Sequence, residues 1–169
     1  MAIQKVLVIG AGQMGSGIAQ VCAQAGFDVK LNDRAEEFFE RGLAGITKNL
    51  ARDVEKGRKT EDEKTAILGR ITKSLDINDA RDVDIVIEAA VENMEIKQQI
   101  FKQLDEITPK HAILATNTSS LPITEIAAVT NRPEQVNGAI FSLANSRTIL
   151  RIIVCSSVKR SSILDAPYS

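Results

Sequence analysis

Residues 6–20 read VLVIGAGQMGSGIAQ: an apolar run breaks into Gly10, Ala11, Gly12, Gln13, Met14 and Gly15 and then resumes with helical spacing. Lys5 to Ile9 (KVLVI) is short, β-branched and almost wholly apolar, the pattern of a strand buried on both faces of a parallel sheet. A strand, a Gly-x-Gly-x-x-Gly turn and a helix in immediate succession read as a dinucleotide-binding turn. Gly10 permits the tight turn, Gly12 lets the backbone approach a pyrophosphate, and Gly15 allows the helix to pack closely on the strand. The free N–H groups of the helix's first turn, around Ala11 to Met14, then face the diphosphate without help from a charged side chain.

Such a turn calls for an acidic residue about 20 positions on, at the end of the second strand, to accept ribose hydroxyls. Asp33 stands there, closing Phe27 to Asn32 (FDVKLN). Its carboxylate repels a 2′-phosphate, which favours NAD over NADP. Arg34 beside it is able either to stack on adenine or to meet that phosphate.

The rest of the composition narrows the class of partner. With 169 residues, 44% hydrophobic and 25% charged, the chain falls in the range of one domain with a core. A net charge of −1 with cations scattered among acids argues against a nucleic-acid surface or a polybasic membrane patch, and so for a small-molecule partner. No apolar segment approaches a membrane span and Met1 to Val8 runs straight into the first strand, so a cytoplasmic location is expected. Cys22 and Cys155 suggest neither a metal site nor a disulfide framework, and Cys22 is expected to be buried.

Along the chain, Phe39, Leu43, Ile46, Leu50 and Val54 recur at helical spacing, Gly57 ends that helix, and Thr60 with Glu63 reads as a capping box for a second one. The pair forms a helical arm over residues 35–69, longer than a crossover between parallel strands requires; it is either functional or a solvated charged hairpin. Ile71 to Leu75 and Val83 to Ala89 (VDIVIEA) read as strands three and four. Asn93 is placed to cap a helix whose stripe is Ile96, Ile100, Leu104 and Ile107, and Pro109 stops it. Ala112 to Thr116 (AILAT) makes a fifth strand. Asn117 to Ser120 (NTSS) follows it where doubly wound sheets bind ligands, outside the carboxyl ends of the strands. Pro122 to Val129 reads as a short helix and Gln135 to Phe141 as a sixth strand. The fold class is α/β: a Rossmann-type doubly wound, mainly parallel sheet with an inserted helical hairpin.

Three stretches in order carry a family resemblance: GAGQMGSGIAQ at Gly10 to Gln20, IEAAVENMEIK at Ile87 to Lys97, and NTSS at Asn117 to Ser120 followed by Leu121, Ile123 and Thr124. On them, residues 1 to about 136 resemble the NAD-binding domain of the L-3-hydroxyacyl-CoA dehydrogenases, most nearly the bacterial 3-hydroxybutyryl-CoA dehydrogenases. The resemblance implies oxidation of the 3-hydroxyl of an acyl-CoA, with butyryl-length substrates favoured and hydride passing to NAD. It implies that Glu92 and Lys97 contact the nicotinamide half, and that Ser119 donates a hydrogen bond to the reacting oxygen. It also implies that Asn49 and Lys56 on the arm bind the CoA nucleotide. Without the resemblance, Glu92 and Lys97 read as a charge pair on a solvated helix start, and Ser119 as a helix cap.

The resemblance breaks further on. The family continues with a Gly-x-His-Phe-x-Asn-Pro segment whose His is the general base and whose Asn polarises the substrate. Here Ile140 stands at the His position, Leu143 at the Asn position, and Ile152 where a glutamate orients the His. Isoleucine accepts no proton, and general base catalysis is worth roughly 10² to 10⁴ in rate. The one histidine, His111, precedes the fifth strand at the opposite edge of the sheet and is expected to play no catalytic part. Composition shifts at the same place: residues 1–141 hold 4 serines and 17 basic against 21 acidic residues, residues 142–169 hold 7 serines and 4 basic against 1 acidic. The expectation is therefore an NAD-binding domain over 1–141 and a tail over 142–169 unrelated to the family, as a frameshift would produce. The family's second, all-helical domain would be absent, leaving little or no turnover and an exposed surface prone to self-association. Within the tail, Thr148 to Val154 (TILRIIV) keeps strand character.

Overall fold

The computed structural model describes residues 3–144 and 147–153, with side chains described up to residue 139. Strands β1 (Lys5–Ile9), β2 (Asp28–Asn32), β3 (Ile71–Ser74), β4 (Ile85–Glu88), β5 (Ile113–Thr116), β6 (Val136–Ala144) and β7 (Arg147–Ile153) form one sheet in the order β3-β2-β1-β4-β5-β6-β7. All neighbours pair in parallel except β6 and β7, an antiparallel hairpin in which Ala139 faces Ile152 and Leu143 faces Thr148. Strand order runs outward in both directions from β1 and β4, so the reversal, where such sheets bind ligands, lies between their carboxyl ends.

The central strands β1, β4 and β5 are buried on both faces. Val6, Val8, Val29 and Leu31 point to one side, against Ile18 and Cys22 of α1 (Gln13–Gln24) and Phe39, Ile46 and Leu50 of α2 (Glu36–Glu55). Leu7, Ile9, Val86 and Leu114 point to the other, against Phe101 and Leu104 of α4 (Met94–Ile107) and Ile126 of α5 (Ile123–Ala127). Burying side chains of this size stabilises by about 1.5–3 kcal/mol each, the reason continuous apolar runs replace alternation here. Burial pushes the Cys22 thiol up to about 12, which leaves it inert as a nucleophile.

The local signals act as expected. The Thr60 hydroxyl accepts the Glu63 N–H at 3.1 Å and opens α3 (Glu61–Gly69), while Gly57 turns the arm with φ +72°. The Asn93 side chain accepts the Ile96 N–H at 3.1 Å. Two features differ. The buried face of α4 is Lys97, Phe101 and Leu104, with Ile100 and Ile107 of the expected stripe packed partly buried beside it and Ile96 alone of that stripe left exposed. The boundary drawn at 141 falls inside β6: the backbone continues to Ala144 and returns as β7, whose TILRIIV pattern extends the sheet. Val154 and Cys155 lie outside the described residues.

His111 is at the amino-terminal edge of the sheet, its Nε2 3.0 Å from Asp84 Oδ1. Asp84 Oδ2 accepts the N–H groups of Gln4 and Lys5 at 2.9 and 3.0 Å. The Lys5 and Gln4 amides first, then His111, hold the Asp84 carboxyl down to about 2. Because the folded value lies below the unfolded one, this contribution to stability is complete above about pH 4 and is lost as pH falls through 2. Urea unfolding of Asp84→Asn should therefore show a shallower acid limb than the parent, and superimposable limbs would remove Asp84 from the account.

Candidate active site

The glycine turn is defined by what passes close to it. Gly10 has φ +99°, and a Cβ there would lie 2.6 Å from the Ala89 carbonyl oxygen, at the tip of β4. A Cβ on Gly15 would lie 1.6 Å from the Gly10 oxygen, so α1 starts against the turn itself. Around Gly12 a Cβ would meet nothing within 4 Å. That side of the turn is open, at the N-cap of a helix whose first turn carries no acidic residue and whose cap makes no side-chain hydrogen bond. A cradle with an open glycine wall and aligned amides fits a diphosphate.

One side of the turn is closed by Asp33. Its Oδ2 accepts the Ala11 N–H at 2.8 Å and its Oδ1 the Arg34 N–H at 2.7 Å, which fixes a half-buried carboxylate beside the turn. The Arg34 guanidinium lies 5.1 Å above the centre of the Phe38 ring, and Arg41 lies 5.8 Å from the same ring. The Arg34 guanidinium thus rests on an aromatic face.

On the other side of the reversal, Glu92 links the loop after β4 to the loop after β5. Its carboxylate accepts hydrogen bonds from the Thr118 hydroxyl and, at 3.2 Å, from the Ser120 hydroxyl. The Thr118 bond, with the Lys97 charge and Ser120 adding to it, holds the Glu92 carboxyl below its ordinary value against the opposing effect of burial. Ser119 is exposed between those two residues. It is not a helix cap: Thr118 accepts the Leu121 N–H at 3.1 Å, and the N-cap of α5 is Pro122.

Lys97 departs from expectation. It is 0% exposed, and its Nζ lies 2.8 Å from both oxygens of Glu88, also 0% exposed. It neither pairs with Glu92 in solvent nor presents surface to a ligand in this conformation. Glu88 also accepts the Thr116 hydroxyl at 2.7 Å and the Ala90 N–H at 2.7 Å. The sequence reading gave no role to Glu88 or Thr116, and took Thr118 and Ser120 only as members of the polar NTSS run. The available signal was a lone carboxylate in the apolar strand IVIE, which demands a buried partner.

Asn49 and Lys56 lie elsewhere, in a cleft of about 770 Å³ between α1 and α2 that is also lined by Ala11, Gly12, Gln13 and Met14. Gly42, whose Cβ would lie 2.8 Å from the Ala11 oxygen, brings α2 onto the turn. Asn49 Nδ2 donates to Gln20 Oε1 at 3.3 Å. Arg41, Lys48, Arg52, Lys56 and Arg58 line the cleft against the single acid Asp53, so it attracts anions. The arm is therefore one wall of a basic cleft continuous with the glycine turn, and not a hairpin solvated on all sides.

Ile140 and Leu143 are on β6 beyond its last pairing with β5 (Thr116 with Gly138), and Ile152 is on the neighbouring β7, one register step from Ile140. The topology thus puts these three positions together at the carboxyl edge, and none of them carries a titratable group.

Comparison with known proteins agrees with this geometry. The family described as "3-hydroxyacyl-CoA dehydrogenase, NAD binding domain" matches residues 5–149. A probable 3-hydroxybutyryl-CoA dehydrogenase of Bacillus subtilis is 56% identical over 141 residues, 83% of this chain and 49% of the relative. The 3-hydroxybutyryl-CoA dehydrogenase of Bradyrhizobium diazoefficiens is 50% identical over 139 residues, 82% of this chain and 47% of the relative. The crystal structure of (S)-3-hydroxybutyryl-CoA dehydrogenase from Ralstonia eutropha superposes with a TM-score of 0.83 at 39% identity, covering 88% of this chain and 54% of that one. The chain spans about half the length of these relatives. With a glycine cradle, a carboxylate just after the second strand and a sheet reversal in the places that fold requires, the chain belongs to the family of NAD-binding domains of the 3-hydroxyacyl-CoA dehydrogenases.

Proposed function

We propose that this chain holds NAD, in preference to NADP, as the cofactor half of an enzyme that interconverts L-3-hydroxyacyl-CoA and 3-ketoacyl-CoA, with 3-hydroxybutyryl-CoA the favoured substrate. The observation that carries this reading is the open Gly12 wall at the amino end of α1, flanked by the fixed carboxylate of Asp33. The α1 amides hold the diphosphate and Asp33 accepts the ribose hydroxyls, leaving a 2′-phosphate facing a like charge. Bound there, the nicotinamide supplies the hydride acceptor. Glu92 sets the loop bearing Ser119, whose hydroxyl donates to the reacting oxygen and stabilises it as it gains negative charge in the reductive direction. Asn49 and Lys56, in the basic cleft, hold the phosphates of CoA. Residues 1–141 are the cofactor domain in this reading, 142–169 a divergent tail, and the location cytoplasmic. Among the described residues no helix is long and apolar enough to cross a membrane.

A second reading is supported by Ile140, Leu143 and Ile152: a module that binds NAD and CoA without turnover, since none of the three side chains can accept or relay a proton. Calorimetric titration with NADH and NADPH is expected to show NADH binding at least tenfold tighter, about 1.4 kcal/mol. Absence of NADH binding would sink the cofactor reading. Acetoacetyl-CoA with NADH, followed at 340 nm, is expected to show no steady oxidation by this polypeptide, and sustained oxidation would overturn the second reading.

A further inference from the structure

Arg34 directly follows the Asp33 carboxylate, and an arginine near that acid is the group that accommodates a 2′-phosphate in sheets of this kind. Its main chain is pinned. The Arg34 N–H donates to Asp33 Oδ1 at 2.7 Å, while Asp33 Oδ2 takes the Ala11 N–H at 2.8 Å. The Arg34 Cα therefore stays beside the carboxylate, and rotation about its side-chain bonds alone decides where the positive charge goes. It goes to Phe38: the guanidinium carbon lies 5.1 Å from the centre of that ring, four residues on in the first turn of α2. Among the described residues Arg34 forms no ion pair, so the ring is its partner. Arg41 approaches the same ring at 5.8 Å from three residues further along α2, and belongs to the lining of the basic cleft.

We propose that Phe38 is a positioning residue for cofactor specificity: by holding the Arg34 guanidinium on its face, it withholds that cation from a 2′-phosphate. The proposal rests on the cofactor reading above and extends it to a residue that acts through Arg34. Asp33 discriminates by repelling the phosphate; Phe38 discriminates by occupying the one neighbouring group that would attract it. The negative face of the ring binds the planar guanidinium electrostatically, and for an exposed pair the contact is favoured about two- to fivefold over the free side chain. A ligand that engages Arg34 must first break that contact, which lowers its apparent affinity by about the same two- to fivefold factor. NAD, without the phosphate, draws nothing from Arg34 and loses nothing.

Phe38→Leu keeps an apolar side chain and removes the aromatic face. Phe38 is half-buried and belongs to neither apolar cluster, so the fold does not hang on it, and thermal melting of each variant checks this. NADH and NADPH are titrated calorimetrically against the full chain at low ionic strength, where guanidinium and phosphate are least screened. In Phe38→Leu the expected result is NADPH affinity raised about two- to fivefold, with NADH affinity within a factor of about 1.5 of the parent. Phe38→Tyr, which keeps the ring, is expected to retain the parent ratio. Made on Arg34→Gln, Phe38→Leu is expected to leave the ratio unmoved, because the cation to be released is gone. An unchanged ratio in folded Phe38→Leu overturns the proposal. So does a parallel change for both cofactors, which makes the ring a part of the binding site itself, and so does a shift that survives on Arg34→Gln, which traces it to Arg41. A parent that binds neither cofactor, or binds NADPH more tightly, defeats the cofactor reading and is a result distinct from all of these.

Discussion

Gly15→Ala is expected to destabilise the fold by about 3 kcal/mol or more, and Gly12→Ala to leave stability nearly unchanged while abolishing NADH binding. Both substitutions add one methyl group to the same turn. At Gly15 that carbon would lie 1.6 Å from the Gly10 carbonyl oxygen and 2.7 Å from its carbon. Those are backbone atoms, and Gly10 has nowhere to retreat, because its own Cα side is filled by the Ala89–Ala90 peptide. Either α1 moves off β1, opening the contacts of Ile18 and Cys22 with Val6 and Val8, or the turn breaks. In a chain of this length the cost corresponds to a fall in Tm of roughly 6–12 °C. At Gly12 the backbone is extended with φ −71°, which alanine adopts without strain, and the methyl would meet no protein atom. It would instead occupy the approach of the diphosphate. Urea unfolding and an NADH titration on the two variants separate the outcomes. If Gly12→Ala bound NADH as the parent does, the open wall would not be the diphosphate site; if Gly15→Ala melted with the parent, the close approach would not constrain the turn.

The same contrast shows which parts of this molecule are legible in its sequence. A turn that must lack Cβ atoms leaves glycines at fixed spacing, a helix start leaves Asn93 or Thr60, and a doubly buried strand leaves KVLVI or AILAT; each leaves a compact local trace, even where the cause, such as the Ala89 carbonyl against Gly10, lies far along the chain. The arm was legible as an insertion from its length, but the close approach of Gly42 to the Ala11 oxygen, 31 positions earlier, is invisible to periodicity. Lys97 was the hardest to read. A lysine among Glu95, Gln98 and Gln99 has the composition of a solvated face, and Ile96 and Ile100 propose a stripe that leaves it outside. What turns the helix so that Lys97, Phe101 and Leu104 go inward is the carboxylate at the end of β4, nine residues back in the chain and on another element. The 4,3 spacing of those three residues was present to be read, but only a partner for the charge gives it meaning.

That dependence gives the second large effect. Lys97→Met is expected to destabilise the chain by about 3–5 kcal/mol, the range for removing one member of a buried ion pair, out of the 5–15 kcal/mol that domains typically possess. The methionine fills the volume of the buried lysine stem, so the packing around it changes little. The loss comes from Glu88, 0% exposed, which keeps the Thr116 hydroxyl and the Ala90 N–H as donors but has no cation left. Two hydrogen bonds do not offset the desolvation of a full charge. Glu88→Leu with Lys97→Met removes that charge along with its partner and should recover most of the loss, remaining within about 2 kcal/mol of the parent, a cost set by the freed Ala90 N–H and Thr116 hydroxyl. Urea denaturation of the three proteins at neutral pH measures the cycle. The single variant must be less stable than the double one, because only the single variant strands a charge; the reverse order would mean that Glu88 finds water or another donor, and that the pair does not govern how α4 lies on the sheet.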